Sequence, residues 1–292
     1  MTIEGYYLGC PAWGFKEWVG SLYPRRTRPA DYLREYSSVF NTVEGNTTFY
    51  SLPSSETVAR WQAATPPEFR FCFKFPQTIT HRKLLAHAGP ESEEFLARMA
   101  PLGERLGPFM IQLPPAFGPE RLELLDSYLG WLPSRFRYGI ELRHPAFYSE
   151  PDEAKRVDEL LRRRGCERVI MDTRPLRSGD DQHPGVLAAR HRKPNLPVEP
   201  VAIGDHPLVR LIGHPEDAVN RPWFVTWSEI LAGWLKQGRR PYLFMHCPDN
   251  TYAPPFARTF HQRLQETAQV GAMPSWPGES GQLSLLLTPA GW

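Results

Sequence analysis

Three carboxylates (Glu44, Glu141 and Asp172), one lysine (Lys74), two arginines (Arg143 and Arg210) and several histidines, His144, His214 and His246 among them, stand at the ends of short apolar runs in this 292-residue chain. Carboxylates beside cations can perform general acid–base chemistry while the cations hold an anion. Glu44, Lys74, Glu141 and Asp172 are therefore the candidate catalytic groups. Arg143 and Arg210 are candidate anion holders, and His144 and His246 are proton shuttles or ligands. Lys74 can also serve as a Schiff-base lysine if its neighbours lower its pKa. Glu44, Glu141, Asp172 and His144 are a candidate ligand set for a divalent metal, with oxygen donors suiting Mg or Mn and histidine admitting Zn. The plain alternative is that these charges satisfy one another, Glu44 with Lys74 and Glu141 with Arg143 or Arg210. No HExxH, GxSxG, P-loop or dinucleotide fingerprint is present.

Eight apolar runs must position these groups, at residues 6–10, 39–46, 69–75, 109–113, 138–144, 168–173, 208–214 and 242–247. Their spacing is that of a repeated βα unit, and continuous apolar strands imply a parallel sheet buried on both faces. The expected fold is α/β, a TIM-barrel-like (β/α)8 single domain over residues 1–270. In such a barrel the C-terminal strand ends carry the chemistry. Side chains alternate along a strand, so Glu44 and Asn46 share a face, as do Lys74 and Cys72, and Glu141 and Arg143. Gln112 ends the fourth run, Asp172 the sixth and His246 the eighth. Trp13, Tyr50 and other aromatics fall in loops on the same rim, where they can stack on a sugar or an exposed base or seal loops to helices.

Amphipathic segments fill most of the intervals. Residues 29–40, 54–61, 91–106, 119–129, 152–164, 227–237 and 255–269 read as helices, with Ser54 or Ser55 as a cap and Gly165 and Gly238 as stops. Residues 174–206 lack this periodicity, apart from a turn at 186–192, and are expected to form an irregular crossover after the sixth strand or a partial lid, with disorder the competing reading. Residues 271–292, rich in Gly, Pro and Ser before an apolar ending, read as a flexible C-terminal tail. The formal charge of +2 does not suggest a nucleic-acid binder. The local clusters at Arg25, Arg26 and Arg28, at residues 162–164, and at Arg190, Arg192 and Lys193 read first as solvated faces, with phosphate binding the second reading. Four dispersed cysteines without CxxC spacing, and no run long enough to span a bilayer, fit a reduced cytoplasmic protein with no membrane contact.

Six segments resemble the domain-of-unknown-function 72 family, also called YecE-like: LGCPAWGFKEWVGSLYP, FNTVEGNTTFY, FRFCFKFPQTITH, IQLPP, GIELRH and VRLIG. The similarity spans roughly residues 5–265, with VEGNTTFY and KFPQTITH the most specific stretches. It implies a TIM-barrel-like fold and no established activity. It also places recurring polar positions on Glu44, Asn46, Lys74, Thr80, His81, Gln112, Glu141, Arg143 and His144. The ending MHCPDN departs from the paired asparagines of many members. The candidate substrate-binding set is thus Asn46, His81, Gln112, Arg143, His144, Arg210, His246, Trp13 and Tyr50.

Residues 282–287 (QLSLLL) resemble the glutamine-led, leucine-rich peptides by which bacterial repair and replication proteins dock on the sliding clamp. Gln282, Leu283, Leu285 and Leu286 supply the polar anchor and apolar side chains that such a peptide needs, the plainer reading being a terminal strand or helix packed on the barrel. The leading functional expectation is a hydrolase or lyase, metal-dependent or not, acting on a phosphate- or sugar-containing substrate or on nucleic acid. The alternatives are a non-catalytic barrel that binds nucleic acid or a repair partner, and a sugar-binding protein.

Overall fold

Every apolar run becomes a strand in the computed structural model, which describes residues 2–179 and 182–279. The strands are β1 (Tyr7–Gly9), β2 (Thr42–Gly45), β3 (Arg70–Phe73), β4 (Phe109–Gln112), β5 (Tyr138–Glu141), β6 (Glu167–Asp172), β7 (Leu208–Ile212) and β8 (Tyr242–His246). All their pairings are parallel. Six form one curled sheet in the order β1-β8-β7-β6-β5-β4, and β2 pairs with β3 in a second sheet. Tyr7, Cys72, Met110, Val169, Leu208, Tyr242 and Phe244, drawn from both sheets, meet in one buried cluster.

Two seams join the sheets with few backbone bonds. At the first, Glu44 N donates to Cys10 O (3.0 Å), and the Tyr36 hydroxyl accepts from Cys10 N and donates to Thr42 O. At the second, Phe75 N donates to Met110 O and Gly107 N to Phe71 O, both at 2.9 Å. Gly9 allows the first approach, because a Cβ there would lie 2.1 Å from Thr42 O.

Helices cover the outer faces for local reasons. Ser54 caps the helix Ser55–Ala63 as expected, its Oγ accepting from Thr57 N. The helix Pro151–Arg163 starts on a proline, with Asp152 and Glu153 in its first turn and Arg162 and Arg163 in its last, and buries Val157, Leu160 and Leu161. Gly165 and Gly238 stop their helices at positive φ. The helix Asp217–Lys236 begins well before the expected Trp227, because Pro222, normally a breaker, is accommodated inside it.

Two expectations change. The crossover contains the helices Arg174–Arg177 and Pro184–Arg192, seated on a small cluster of Leu176, Val186, Ala189 and Ile212. Arg177 Nη2 donates to Lys193 O (2.7 Å), fastening the segment back on itself. The stretch expected as a tail from Gly271 is docked as far as Glu279. Trp276 is buried under the Arg258 guanidinium, Arg258 also grips Glu279 through two bonds, and Gly278 N reaches Leu22 O. A large aromatic with a cationic partner outweighed the Gly/Pro-rich composition. Gln282, Leu283, Leu285 and Leu286 lie outside the described residues. All four cysteines are buried free thiols, and no helix among the described residues is long and apolar enough to cross a membrane.

Candidate functional site

The C-terminal ends of β2, β3, β4, β5 and β8, with the middle of β7, bring seven of the expected residues into one connected network. At its centre is Arg210 of β7, 1% exposed. Its Nε and Nη2 donate to the two oxygens of Glu44 (both 2.8 Å), and its Nη1 donates to Glu141 Oε2 (2.6 Å). Arg143 Nε takes the other Glu141 oxygen at 2.7 Å. His246 Nε2 lies 3.0 Å from Glu44 Oε2, and Lys74 Nζ lies 3.5 Å from Glu44 Oε1. Gln112 Oε1 accepts from both Lys74 Nζ (3.1 Å) and Arg143 Nη2 (2.9 Å). Every carboxylate oxygen of Glu44 and Glu141 therefore has a cationic or imidazole partner.

Burial and charge set the protonation states. Burial alone would raise the Glu44 carboxyl, but Arg210, His246 and Lys74 hold it well below the usual carboxylate range. Burial likewise opposes ionisation of Glu141, yet Arg210, Arg143 and Lys74 bring it down to about 2. Burial pushes the His246 imidazole down to about 4 despite the adjacent Glu44. Burial and then Arg210 push the Lys74 ammonium down to about 8 against the pull of both carboxylates. At pH 7 the floor thus holds ionised carboxylates, a neutral imidazole and an easily deprotonated lysine.

Above this floor opens a cavity of about 520 Å³ lined by Asn46, Tyr50, Lys74, His81, Gln112, Arg143, Arg210 and His246, together with Arg192 and Lys193. Asn46 is fixed by donation to Pro11 O. His81 sits on a π-helical turn, Thr78–Arg82, its Nδ1 2.9 Å from Thr80 Oγ1 and its ring edge-on to Phe49. Tyr50 is 74% exposed at the mouth.

Arg192 and Lys193 were read first as part of a solvated face. Their approach depends on the crossover folding back, which no local pattern announces. Burial, followed by Arg210 and Lys74, pushes Lys193 down to about 7.

Three expected members stand elsewhere. Asp172 points away from the buried cluster shared by the two sheets, which includes Val169 of the same strand, as its odd offset from Val169 requires. It accepts from Arg174 Nη2 (2.7 Å), Arg174 N (2.9 Å) and Trp227 Nε1 (2.8 Å), which makes it a junction between β6 and the helix Asp217–Lys236. His144 Nδ1 accepts from Ala146 N and serves its own turn. Trp13 packs edge-on to Trp61 and Phe71, in the hydrophobic seal rather than at the cavity.

The candidate metal set does not fit a divalent cation. Among the described residues, no group of three or more His, Cys, Asp or Glu converges to hold one. Asp172 and His144 do not line the cavity, and each oxygen of Glu44 and Glu141 already meets a guanidinium, ammonium or imidazole. A cation would enter a cavity already lined by lysine and arginine.

A family described as "Protein of unknown function DUF72" matches residues 7–280. The UPF0759 protein YecE of Escherichia coli is 41% identical over 275 residues, covering 94% of this chain and 98% of that one. The UPF0759 protein YunF of Bacillus subtilis is 27% identical over 154 residues, covering 50% and 53% of the two chains. Among solved structures, a DUF72 family protein of Thermotoga maritima superposes with a TM-score of 0.67 at 24% identity, over 89% of this chain and 99% of that one. One from Enterococcus faecalis gives 0.68 at 22% identity, over 92% and 99%. The match over residues 7–280 and the 41% identity to YecE show that the chain belongs to the DUF72 (UPF0759, YecE-like) family, for which no activity is established.

Proposed function

We propose that the rim cavity binds and transforms a small anionic substrate, one carrying phosphate or carboxylate, in a hydrolase- or lyase-type reaction. The observation that carries this reading is the charge count around the cavity. Lys74, Arg143, Arg192, Lys193 and Arg210 line it, while both nearby carboxylates lie buried and fully engaged below. A purely structural network would balance its charges, and this one leaves cations facing open space. In this reading the eight strands act as one (β/α)8 barrel with its site at the C-terminal rim. Arg143 and Lys193 hold the anion, Lys74 and the neutral His246 move protons, and Tyr50 offers a flat face to a sugar or base.

Inorganic phosphate and pyrophosphate are expected to raise Tm in a dose-dependent way that weakens with salt. Lys193→Ala is expected to weaken that binding by roughly 10- to 100-fold, the worth of one charge-assisted hydrogen bond, while leaving the unliganded Tm within a degree or two. Neither anion shifting Tm at millimolar concentration would remove the proposal.

A second reading concerns the tail, favoured by its anchorage. Docking of Trp276 and Glu279 onto the body leaves residues 282–287 to follow a fixed point, which suits a tethered recognition peptide. A peptide of residues 280–292 is expected to bind purified sliding clamp at micromolar concentration and to lose binding when Gln282 and Leu285 are changed to Ala. No binding at high micromolar concentration would sink the idea.

A further inference from the structure

We infer that Lys74 is an imine-forming nucleophile for a ketone or aldehyde that carries a phosphate or carboxylate group. The inference rests on the anion-cavity reading and deepens it by naming the substrate's reacting group.

Placement comes first. Lys74 follows β3, and both of its backbone groups are held: its N donates to Gly45 O (3.2 Å) and its O accepts from Thr48 Oγ1 (2.7 Å). The side chain is only 9% exposed, yet it lines the cavity, so a substrate in the cavity reaches an amine that bulk water barely touches. Gln112 Oε1 orients that amine by accepting from it at 3.1 Å.

Its charge environment is the second element. The same Gln112 oxygen also accepts from Arg143, which puts a guanidinium beside the ammonium. Glu44, the carboxylate nearest the amine, is already held by two Arg210 bonds and by His246. A lysine amine desolvated beside other cations loses its proton readily, the condition that makes lysine a nucleophile near neutrality. Its fall to about 8 agrees with that geometry.

The chemistry balances with groups already present. The free amine's lone pair forms an N–C bond to the carbonyl carbon as the C=O π pair moves to oxygen, which takes up a proton. The nitrogen, now positively charged with two hydrogens, passes one proton to that hydroxyl, which leaves as water as the freed nitrogen lone pair forms the C=N bond, giving a protonated imine. Glu44 and Glu141 are too acidic to donate protons. Lys193, across the cavity with an ammonium near 7, and solvent entering at the mouth are the fitting donors. Lys193 itself ends a helix of the crossover, is only half-buried, and suits anion holding and proton delivery better than attack. The positive imine then sits among cations, which favours a substrate whose own phosphate or carboxylate offsets the added charge.

The full-length protein would be incubated with pyruvate or with glyceraldehyde 3-phosphate plus sodium cyanoborohydride, and the modified lysines located by peptide mass spectrometry. One dominant adduct on Lys74 is expected, formed at least about tenfold faster than on exposed lysines, because this amine alone is both desolvated and oriented by Gln112 at the cavity floor. Inorganic phosphate should suppress it, and Lys74→Arg, which keeps the charge, should abolish it while retaining the phosphate-induced rise in Tm. Adducts spread over surface lysines, or placed on Lys193 instead, would overturn the inference. A phosphate-induced Tm rise without a Lys74 adduct removes the imine and leaves the anion cavity standing. Loss of both removes both.

Discussion

Replacing Arg210 with methionine is expected to lower the free energy of unfolding by about 3–5 kcal/mol, the usual consequence of removing one partner from a buried charge network. The expectation follows from three hydrogen bonds to two carboxylates that are themselves almost completely buried. Glu44 would keep only Lys74 and His246, and Glu141 only Arg143. Neither ion can recover the lost solvation where it sits. Arg210→Lys is expected to fall between the two, because one ammonium cannot span both carboxylates as a planar fork does. Adding Glu44→Gln to Arg210→Met should recover part of the loss by removing one stranded charge. Urea unfolding at pH 7.5 measures all three. A loss below about 1 kcal/mol for Arg210→Met, with an unchanged m-value, would show that Arg210 does not hold these strands together.

Acid should dismantle the same network in two overlapping stages. His246 has its folded pKa depressed from 6.5 to about 4. The unfolded chain therefore takes up this proton first, and the associated stability is complete above pH 6.5 and lost as pH falls toward 4. Glu141, depressed from 4.5 to about 2, has the same sign: its contribution is intact above pH 4.5 and lost as pH falls toward 2. Each shift corresponds to about 3 kcal/mol at about 1.4 kcal/mol per pKa unit. Unfolding free energies measured from pH 7.5 to 3 should fall from about pH 6.5 downward, and His246→Gln should flatten the limb between pH 6.5 and 4 while leaving the lower one. A wild-type curve flat between pH 6.5 and 4 would contradict the buried neutral imidazole.

Elements whose information is local were legible in the sequence. Eight apolar runs became eight strands, and Ser54, Gly165 and Gly238 marked helix ends because capping and positive φ are decided within a few residues. Glu44, Lys74, Gln112, Glu141, Arg143, Arg210 and His246 converged because strand ends in a parallel sheet share one side. What failed depended on long-range geometry. The run at residues 168–173 shows charge at its end but not which face Asp172 takes, and that face is set by the pairing of β6 with β7. Trp13 reads as a rim aromatic until Trp61, dozens of residues later, arrives to cover it. Lys193 entered the site only because Arg177 and the small cluster around Val186 fold the crossover back. Pro222 hid the start of a long helix because proline's local penalty is absorbed by packing of Phe224 and Trp227.

Arg210 also constrains how this protein can change over generations. It binds across the weak β1–β2 seam, reaching Glu44 on one side and Glu141 on the other, so a single side chain contributes both to chain integrity and to the shape of the cavity floor. A selection for abundance and a selection for the shape of the cavity floor would then reject the same substitutions at Arg210, Glu44 and Glu141. Variation that retunes the ligand without that penalty falls on residues such as Tyr50, Arg192 and Lys193, which line the opening without joining the buried network. New specificities in this lineage should arise at the mouth while the floor stays fixed.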